Sequence, residues 1–260
     1  MPKLRSRSLL IALVSLTLLA GAGAPAIAQD ATPTPGGVTI LGPDESFGGA
    51  TLGEWEARQW QWNTSFPPDI NPGLDVAGPG CGYGQSGPVF FLPGNFTHNP
   101  TNMTCVVPEG VAILVPLGGA ECSTIEPPPF FGRDEAELAA CATAANDVNP
   151  IPIAAITVTI NDQNIPNLES YHSVSPAFPL TFLENNPFGA APGVALSVSD
   201  AYGFLIAPPA PGEYDLVISS DVDQNGKPFV GTFHLVVEAP QVIEPQATPG
   251  ASPEAATPVA

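Results

Sequence analysis

The segment GEYDLVISSDVDQNGKPFVGTFHLVV, residues 212–237, alternates apolar and polar side chains on both sides of an Asn-Gly pair. Asn-Gly is a strong signal for a two-residue turn, so the segment predicts a β-hairpin centred on Asn225-Gly226. In that register Tyr214 faces Val237, and three further apolar pairs share the same face: Leu216–Leu235, Ile218–Phe233 and Val222–Phe229. A slip by one residue would turn this face to solvent, so the register is expected to be well defined.

Other segments predict further strands. The apolar runs at 89–92 and 111–115 are typical of buried strands, and the alternation at 156–160 is typical of a half-buried one. Short strands are also expected at four places that Pro and Gly separate: 170–174, 178–183, 194–199 and 203–207. We therefore predict a mostly β protein, an antiparallel β-sandwich of jelly-roll or immunoglobulin-like type, with a helical, disulfide-stapled N-terminal part.

Capping signals predict two helices. Thr51 and Glu54 have the spacing of a capping box, which predicts a helix over about 52–63. Asp134 with Glu137 predicts a second helix over about 134–146.

The first 28 residues are typical of a secretory signal peptide. Basic residues precede an apolar run from Leu9 to Ala20, and an Ala-Ile-Ala motif follows at 26–28. The run is too short for a stable membrane span. The mature chain is therefore expected to begin near Gln29, to be secreted, and to have no membrane span after signal cleavage.

Composition divides the mature chain into three parts. Residues 29–37 predict a Pro/Thr linker, and residues 240–260 predict a disordered Pro/Ala-rich tail, because neither has enough large apolar residues to offset the entropy of ordering. The remaining residues, 38–239, are expected to form a single β-sandwich domain.

The mature chain is strongly acidic. It keeps three basic residues, Arg58, Arg133 and Lys227, against 25 acidic ones, which is a formal charge of 3 minus 25, or −22. Such a surface repels phosphate backbones and anionic lipids, so nucleic-acid binding is excluded. Neutral or basic partners and cations, calcium included, are compatible with it.

Four cysteines, Cys81, Cys105, Cys122 and Cys141, predict two disulfides in an exported chain. Three pairings exist, and we favour Cys81–Cys105 with Cys122–Cys141 because nearest neighbours close short loops. No C-x-x-C pair is present, which disfavours a zinc site.

The hairpin segment also resembles the start of a calcium-binding loop. Asp221, Asp223 and Asn225 place side-chain oxygens at alternate positions, as one calcium ion requires. The twelfth position is Thr232 rather than a bidentate Glu, and the hairpin accounts for the same residues without a metal. No other cofactor is expected.

Candidate catalytic residues are Glu121, Asp200 and His234. Glu121 follows a buried strand beside a cysteine, Asp200 follows the strand at 194–199, and the hairpin register places His234 diagonal to Asp215. Carboxylates and histidines held across a cleft supply the acid–base chemistry of polysaccharide hydrolases and lyases. The sequence contains no G-x-S-x-G, H-E-x-x-H or phosphate-binding loop.

Candidate ligand-binding residues are Trp60, Gln61 and Tyr202. An indole ring suits the apolar face of a sugar, and Gln61, with Glu56 and Gln59, would bond its hydroxyl groups. Trp55 and Trp62 share the apolar face of the first helix, which favours a packing role for them.

Four segments together resemble a group of secreted bacterial proteins that have paired cysteines and no known activity. The segments are Trp60-Gln-Trp62, CGYGQSGPVFFL at 81–92, CVVPEG at 105–110, and Glu121-Cys-Ser123. The resemblance extends over about 50–240 and implies a secreted, disulfide-containing domain.

Three functions are compatible with these observations. The first is a secreted non-catalytic module that binds an extracellular or envelope component, most plausibly a carbohydrate. The second is a secreted hydrolase or lyase that acts on polysaccharide, and the third is a structural or adhesive surface protein.

Overall fold

The protein is mostly β-structure. The computed structural model describes residues 37–75, 78–97, 99–149, 151–222 and 228–239, so the predicted signal peptide, most of the linker and the tail lie outside the described residues. The helices are α1 (Leu52–Thr64) and α2 (Glu135–Asp147). The strands are β1 (Val89–Phe91), β2 (Thr101–Pro108), β3 (Ala112–Ser123), β4 (Ile156–Ile160), β5 (Gln163–Asn164), β6 (His172–Val174), β7 (Phe178–Phe182), β8 (Gly193–Ile206), β9 (Gly212–Ser220) and β10 (Phe229–Glu238). No helix of the described part is long and apolar enough to cross a membrane.

These strands form two five-stranded sheets. The first has the order β1-β3-β8-β6, with β7 also paired to β8, and the second has the order β2-β10-β9-β4-β5. Strand β1 runs parallel to β3, and β2 runs parallel to β10, so both sheets are mixed rather than purely antiparallel. The chain crosses to the second sheet between β1 and β3, and a long crossover of this kind allows two strands to run in the same direction.

Apolar side chains of the two sheets meet in one cluster. The first sheet contributes Phe90, Ile113 and Phe204, and the second contributes Leu216 and Phe233, all at most 5% exposed. Burying a side chain of this size is worth about 2 kcal/mol, so this cluster is a main source of stability.

Strands β9 and β10 form the predicted hairpin, but its register differs from the expected one by two residues. Phe233 pairs with Leu216, where the alternation predicts Ile218. A shift of two keeps every side chain on its own face, so the apolar residues still point inward. His234 consequently lies directly opposite Asp215 rather than diagonal to it. The predicted turn residues Asn225-Gly226 lie within 223–227, which is outside the described residues.

Several strands differ from the prediction. Strand β8 is one strand of 14 residues where the sequence predicts two, because its polar residues Ser199 and Asp200 are buried and do not interrupt it. Strand β2 was not predicted, although its residues alternate strictly between buried and exposed. Its exposed positions include Val106 as well as polar residues, which hides the period of two.

Both helices begin at their predicted caps. The Glu54 backbone N–H donates to Thr51 Oγ1 at 3.4 Å, and the Thr51 backbone N–H donates to Glu54 Oε2 at 2.8 Å. The Glu137 backbone N–H donates to Asp134 Oδ1 at 3.0 Å. These bonds satisfy amide groups that the first turn of a helix otherwise leaves without partners.

Two disulfides are present with the pairing that the sequence favours. Cys81–Cys105 joins the segment before β1 to β2, with a Cα–Cα distance of 5.8 Å. Cys122–Cys141 joins β3 to α2, with a Cα–Cα distance of 6.0 Å.

Replacing Cys122 and Cys141 together by Ala should lower the free energy of unfolding by about 3 kcal/mol. The bond closes a loop of sequence separation 19 and restricts the unfolded chain accordingly. Urea denaturation of the unreduced protein measures the change. Ala144→Ser, at an exposed position of the same helix, is the control, and an equal midpoint for the two variants would contradict the expectation.

Candidate functional site

A cavity lies at an edge of the first sheet that β1 leaves uncovered. Strand β1 pairs with β3 only over residues 112–114, whereas β3 continues to Ser123. A bulge follows between Pro116 and Gly118, and Gly118 has a φ of +149°, which favours glycine. A cavity of about 450 Å³ opens at this bulge, and its walls come from α1 and from the second sheet.

One wall of this cavity, here called the aromatic wall, consists of Trp60, Phe96 and Phe188. The Trp60 ring stacks on Phe96 with centroids 5.9 Å apart and an interplanar angle of 28°. Phe188 meets Trp60 edge-on at 5.9 Å and Phe96 edge-on at 5.4 Å. All three residues line the cavity, so this side of it is rich in aromatic residues.

The α1 wall carries three polar side chains, Glu56, Gln59 and Asn63, which are 3%, 6% and 4% exposed. Their spacing of three and four residues places them on one face of the helix. Gln59 Nε2 donates to the Leu92 carbonyl at 2.7 Å. Glu56 Oε1 and Asn63 Oδ1 accept no hydrogen bond from the described protein atoms. Two residues that line the cavity thus each hold a buried oxygen that has no hydrogen-bond partner among the described residues.

The Glu56 carboxyl is held neutral by its surroundings. Its Oε2 accepts a hydrogen bond from Ser173 Oγ at 2.5 Å. Burial raises the pKa of Glu56 to about 8, the Ser173 bond opposes this rise, and the charge of Asp200 adds to it. At pH 7 the carboxyl is therefore mainly protonated and both donates and accepts hydrogen bonds.

A second, smaller cavity of about 210 Å³ contains His172 and Tyr202. His172 Nε2 lies 2.7 Å from Asp200 Oδ1, and its ring centroid lies 4.8 Å from that of Tyr202. Asp200, 1% exposed, also accepts from Thr143 Oγ1 and Asn146 Nδ2, each at 2.6 Å. A buried carboxylate with three donors fixes the orientation of the imidazole ring.

The structure does not bring the Glu121 and Asp200 side chains together. It pairs with Ser199 across β3 and β8, so its side chain lies on the opposite face of the sheet from Asp200. The Glu121 carboxyl accepts a hydrogen bond from Ser197 Oγ and lies beside Glu126. Burial and the neighbouring Glu126 raise the pKa of Glu121, and neither residue lines the two cavities described above.

His234 lies on the outer face of the second sheet and lines neither cavity. Its Nδ1 is 2.8 Å from Asp215 Oδ1, and its Nε2 is 3.9 Å from Glu213 Oε2. The bond to Asp215 raises the pKa of His234. The three candidate catalytic residues thus occupy three separate environments.

The three candidate ligand-binding residues do not all line the same cavity. Trp60 lines the larger cavity and Tyr202 lines both. Gln61 lines neither, since its Nε2 donates to the Pro179 carbonyl at 2.8 Å and ties α1 to β7. Trp55 and Trp62 are 4% and 7% exposed, and their indole N–H groups donate to backbone carbonyls at 2.9 Å.

The candidate calcium residues are only partly described. Asp221 is exposed just after β9, while Asp223 and Asn225 lie outside the described residues. Within the described ranges, no group of three or more His, Cys, Asp or Glu side chains is placed to hold a metal ion. Calcium at Asp221 stays a prediction.

Sequence reasoning missed Asn63, Phe96 and Phe188. Asn63 lies one helical turn beyond Gln59, and a polar residue recurring on an otherwise apolar helix face is a signal that was available. Phe96 and Phe188 are far apart in the chain and carry no such signal.

The neutral state of Glu56 predicts a dependence of stability on pH. The folded-state pKa of about 8 lies above the ordinary value of 4.5, so the folded chain holds an extra proton between these values. The resulting stabilisation is complete below this window and is lost as the pH rises through it. Relative to Glu56→Gln, which cannot titrate, the wild-type free energy of unfolding should fall by on the order of 3 kcal/mol from pH 5 to pH 8.

Urea denaturation of both proteins at the two pH values measures this difference. Glu54→Gln is the control on the same helix, because hydrogen bonds with Thr51 lower the pKa of Glu54. The wild-type minus Glu54→Gln difference should stay nearly constant over this range. An equal pH trend for the two variants would show that Glu56 is not held neutral.

No protein-family model matches this chain, and no curated protein matches it. A solved structure described as PbICP-C in complex with falcipain-2 is similar over 58% of this chain and 100% of that chain, with 14% sequence identity and a TM-score of 0.22. A TM-score of 0.22 is too low to indicate a shared fold.

Proposed function

We propose that this protein is a secreted, non-catalytic β domain that binds a neutral carbohydrate in the cavity beside α1. The observation that carries the proposal is that one cavity is lined both by the aromatic wall and by Glu56 and Asn63, whose buried oxygens Oε1 and Oδ1 have no partner among the described residues. The volume of about 450 Å³ is within the usual range for small-ligand sites.

The chemistry of the cavity suits a sugar. A sugar ring has an apolar face that packs on an indole or phenyl ring, and a rim of hydroxyl groups that need hydrogen-bond partners. In this proposal Trp60 supplies ring surface, and the side-chain oxygens of Glu56 and Asn63 accept hydrogen bonds from the sugar. An apolar ligand would leave these acceptors without partners, at a cost of about 1–3 kcal/mol each.

Charge favours a neutral ligand. Glu56 is the single carboxyl among the described lining residues of the larger cavity, and its raised pKa keeps it mainly uncharged at pH 7. The mature chain otherwise carries a large excess of acidic residues, so an anionic sugar would meet a repulsive field.

A polysaccharide hydrolase or lyase is the second candidate, and the His172–Asp200 pair favours it. A histidine oriented by a buried carboxylate is a common arrangement for acid–base catalysis. Glycoside hydrolysis usually needs two carboxyl groups across one cleft, and the described lining of the larger cavity provides one. For this reason we place binding ahead of catalysis.

The proposal extends to location and fold type. We propose that the chain is exported through its first 28 residues and that it belongs with the secreted bacterial proteins that its cysteine segments resemble. Two disulfides support export, since such bonds persist in oxidising compartments. The shared apolar cluster of the two sheets supports a jelly-roll or immunoglobulin-like sandwich.

Trp60→Ala should weaken binding of a neutral oligosaccharide about tenfold, because it removes the central ring of the aromatic wall. Isothermal titration with cello-, xylo-, malto- and manno-oligosaccharides identifies the series that binds and measures the change. Phe130→Ala removes a ring that is 40% exposed and lines neither cavity, so its affinity should equal that of wild type. If none of the four oligosaccharide series binds, the proposal that the ligand is a carbohydrate is wrong.

Export predicts a new N-terminus. When the full chain is expressed in a bacterial host with an active secretion pathway, N-terminal sequencing of the extracytoplasmic protein should begin at or near Gln29. Ala26→Asp with Ala28→Asp should block cleavage, because signal peptidase requires small residues there. An uncleaved wild-type chain retained in the cytoplasm would contradict export.

A further inference from the structure

The two cavities adjoin each other. Their linings share six residues: Leu117, Gly118, Asn149, Ile151, Ile156 and Tyr202. Gly118 pairs with Tyr202 across β3 and β8, so no side chain of β3 stands opposite the Tyr202 ring at the junction. A ligand that extends from the larger cavity past these shared residues would reach His172, which lines the smaller one.

His172 presents a hydrogen-bonding group in the smaller cavity. Both Asp200 oxygens accept from other donors, Thr143 to Oδ2 and Asn146 to Oδ1, so Asp200 acts as an acceptor towards His172 as well. The imidazole Nε2–H is then the donor, and Nδ1 is left as an acceptor when the ring is neutral. His172 keeps 40% of its side chain exposed and lines the smaller cavity.

We propose that the smaller cavity is a second subsite of the carbohydrate cleft, and that the ligand is a neutral oligosaccharide spanning both cavities. This inference rests on the proposed function. One sugar unit packs on the aromatic wall, the chain passes the Tyr202 ring, and a further unit bonds His172 Nδ1.

The other groups around the smaller cavity agree with a neutral, hydroxyl-rich ligand. Asn146 and Asn149 contribute amide groups, and Tyr202 contributes a ring beside the imidazole. Asp147 is an exposed carboxyl at the same cavity and would repel an anionic sugar. No Lys or Arg is among its described lining residues, so a charged sugar would find no cationic partner.

The test compares chain lengths and two histidines in the full chain. Isothermal titration uses the disaccharide, tetrasaccharide and hexasaccharide of cello-, xylo-, malto- and manno-oligosaccharides. For the series that binds, affinity should rise at least tenfold from disaccharide to tetrasaccharide. His172→Ala should abolish this gain and leave the disaccharide affinity of wild type, while Trp60→Ala lowers both affinities.

His234→Ala is the matched control. His234 is held by Asp215 at 2.8 Å much as His172 is held by Asp200 at 2.7 Å, but it lies on the outer face of the other sheet. The affinities of His234→Ala for the disaccharide and the tetrasaccharide should equal those of wild type. The unchanged disaccharide affinity of His172→Ala also shows that this variant is folded, and His172→Gln, which keeps an acceptor, should restore part of the gain.

The outcomes separate the inference from the proposed function. Binding that does not depend on chain length, or an equal effect of His172→Ala and His234→Ala, would overturn the second subsite and leave the first intact. Failure of every oligosaccharide to bind would overturn the proposed function and the inference with it. Loss of disaccharide binding in both His172→Ala and His172→Gln would also overturn the inference.

Discussion

The alternation of side chains along β8 is the constraint on which the whole arrangement depends. This strand pairs with β3, β6 and β7, and successive residues point to opposite faces of the first sheet. Asp200 points to the face that carries α2, while Gly203 lies against Glu56 of α1 on the other. A shift of one residue would exchange these faces and leave the Asp200 carboxylate without its donors.

The scarcity of cations shapes how this protein buries its carboxyl groups. Arg58 lies over the Trp55 ring, 4.2 Å from its centroid, and Arg133 pairs with Glu137 on the surface. The buried carboxyls therefore take hydroxyl, amide and imidazole partners. At Glu56 the effect of burial outweighs the hydrogen bond from Ser173 and raises the pKa, which is the physical reason that this carboxyl can serve as a polar but uncharged group.

Local features were predictable from sequence, and features that depend on distant contacts were not. Thr51 and Asp134 define helix starts through bonds three residues away, so a short pattern was sufficient. The alternation around Phe233 predicts which face is buried, but the pairing also depends on the turn, and it differs by two residues. The parallel pairings of β1 and β2 depend on how the chain crosses between sheets. Similarly, no periodic pattern relates Phe96 to Phe188, because their contact arises only when the folded chain brings two loops to Trp60.

The disulfide between β3 and α2 has a consequence for where the protein can work. Cys141 lies in the same helix as Thr143 and Asn146, the two donors that hold Asp200 and, through it, the imidazole. In a reducing compartment this helix loses its covalent attachment to the sheet close to both donors. The geometry of the smaller cavity thus depends on the redox state of the surroundings, and we expect Asp200 to keep both donors only in the oxidised chain.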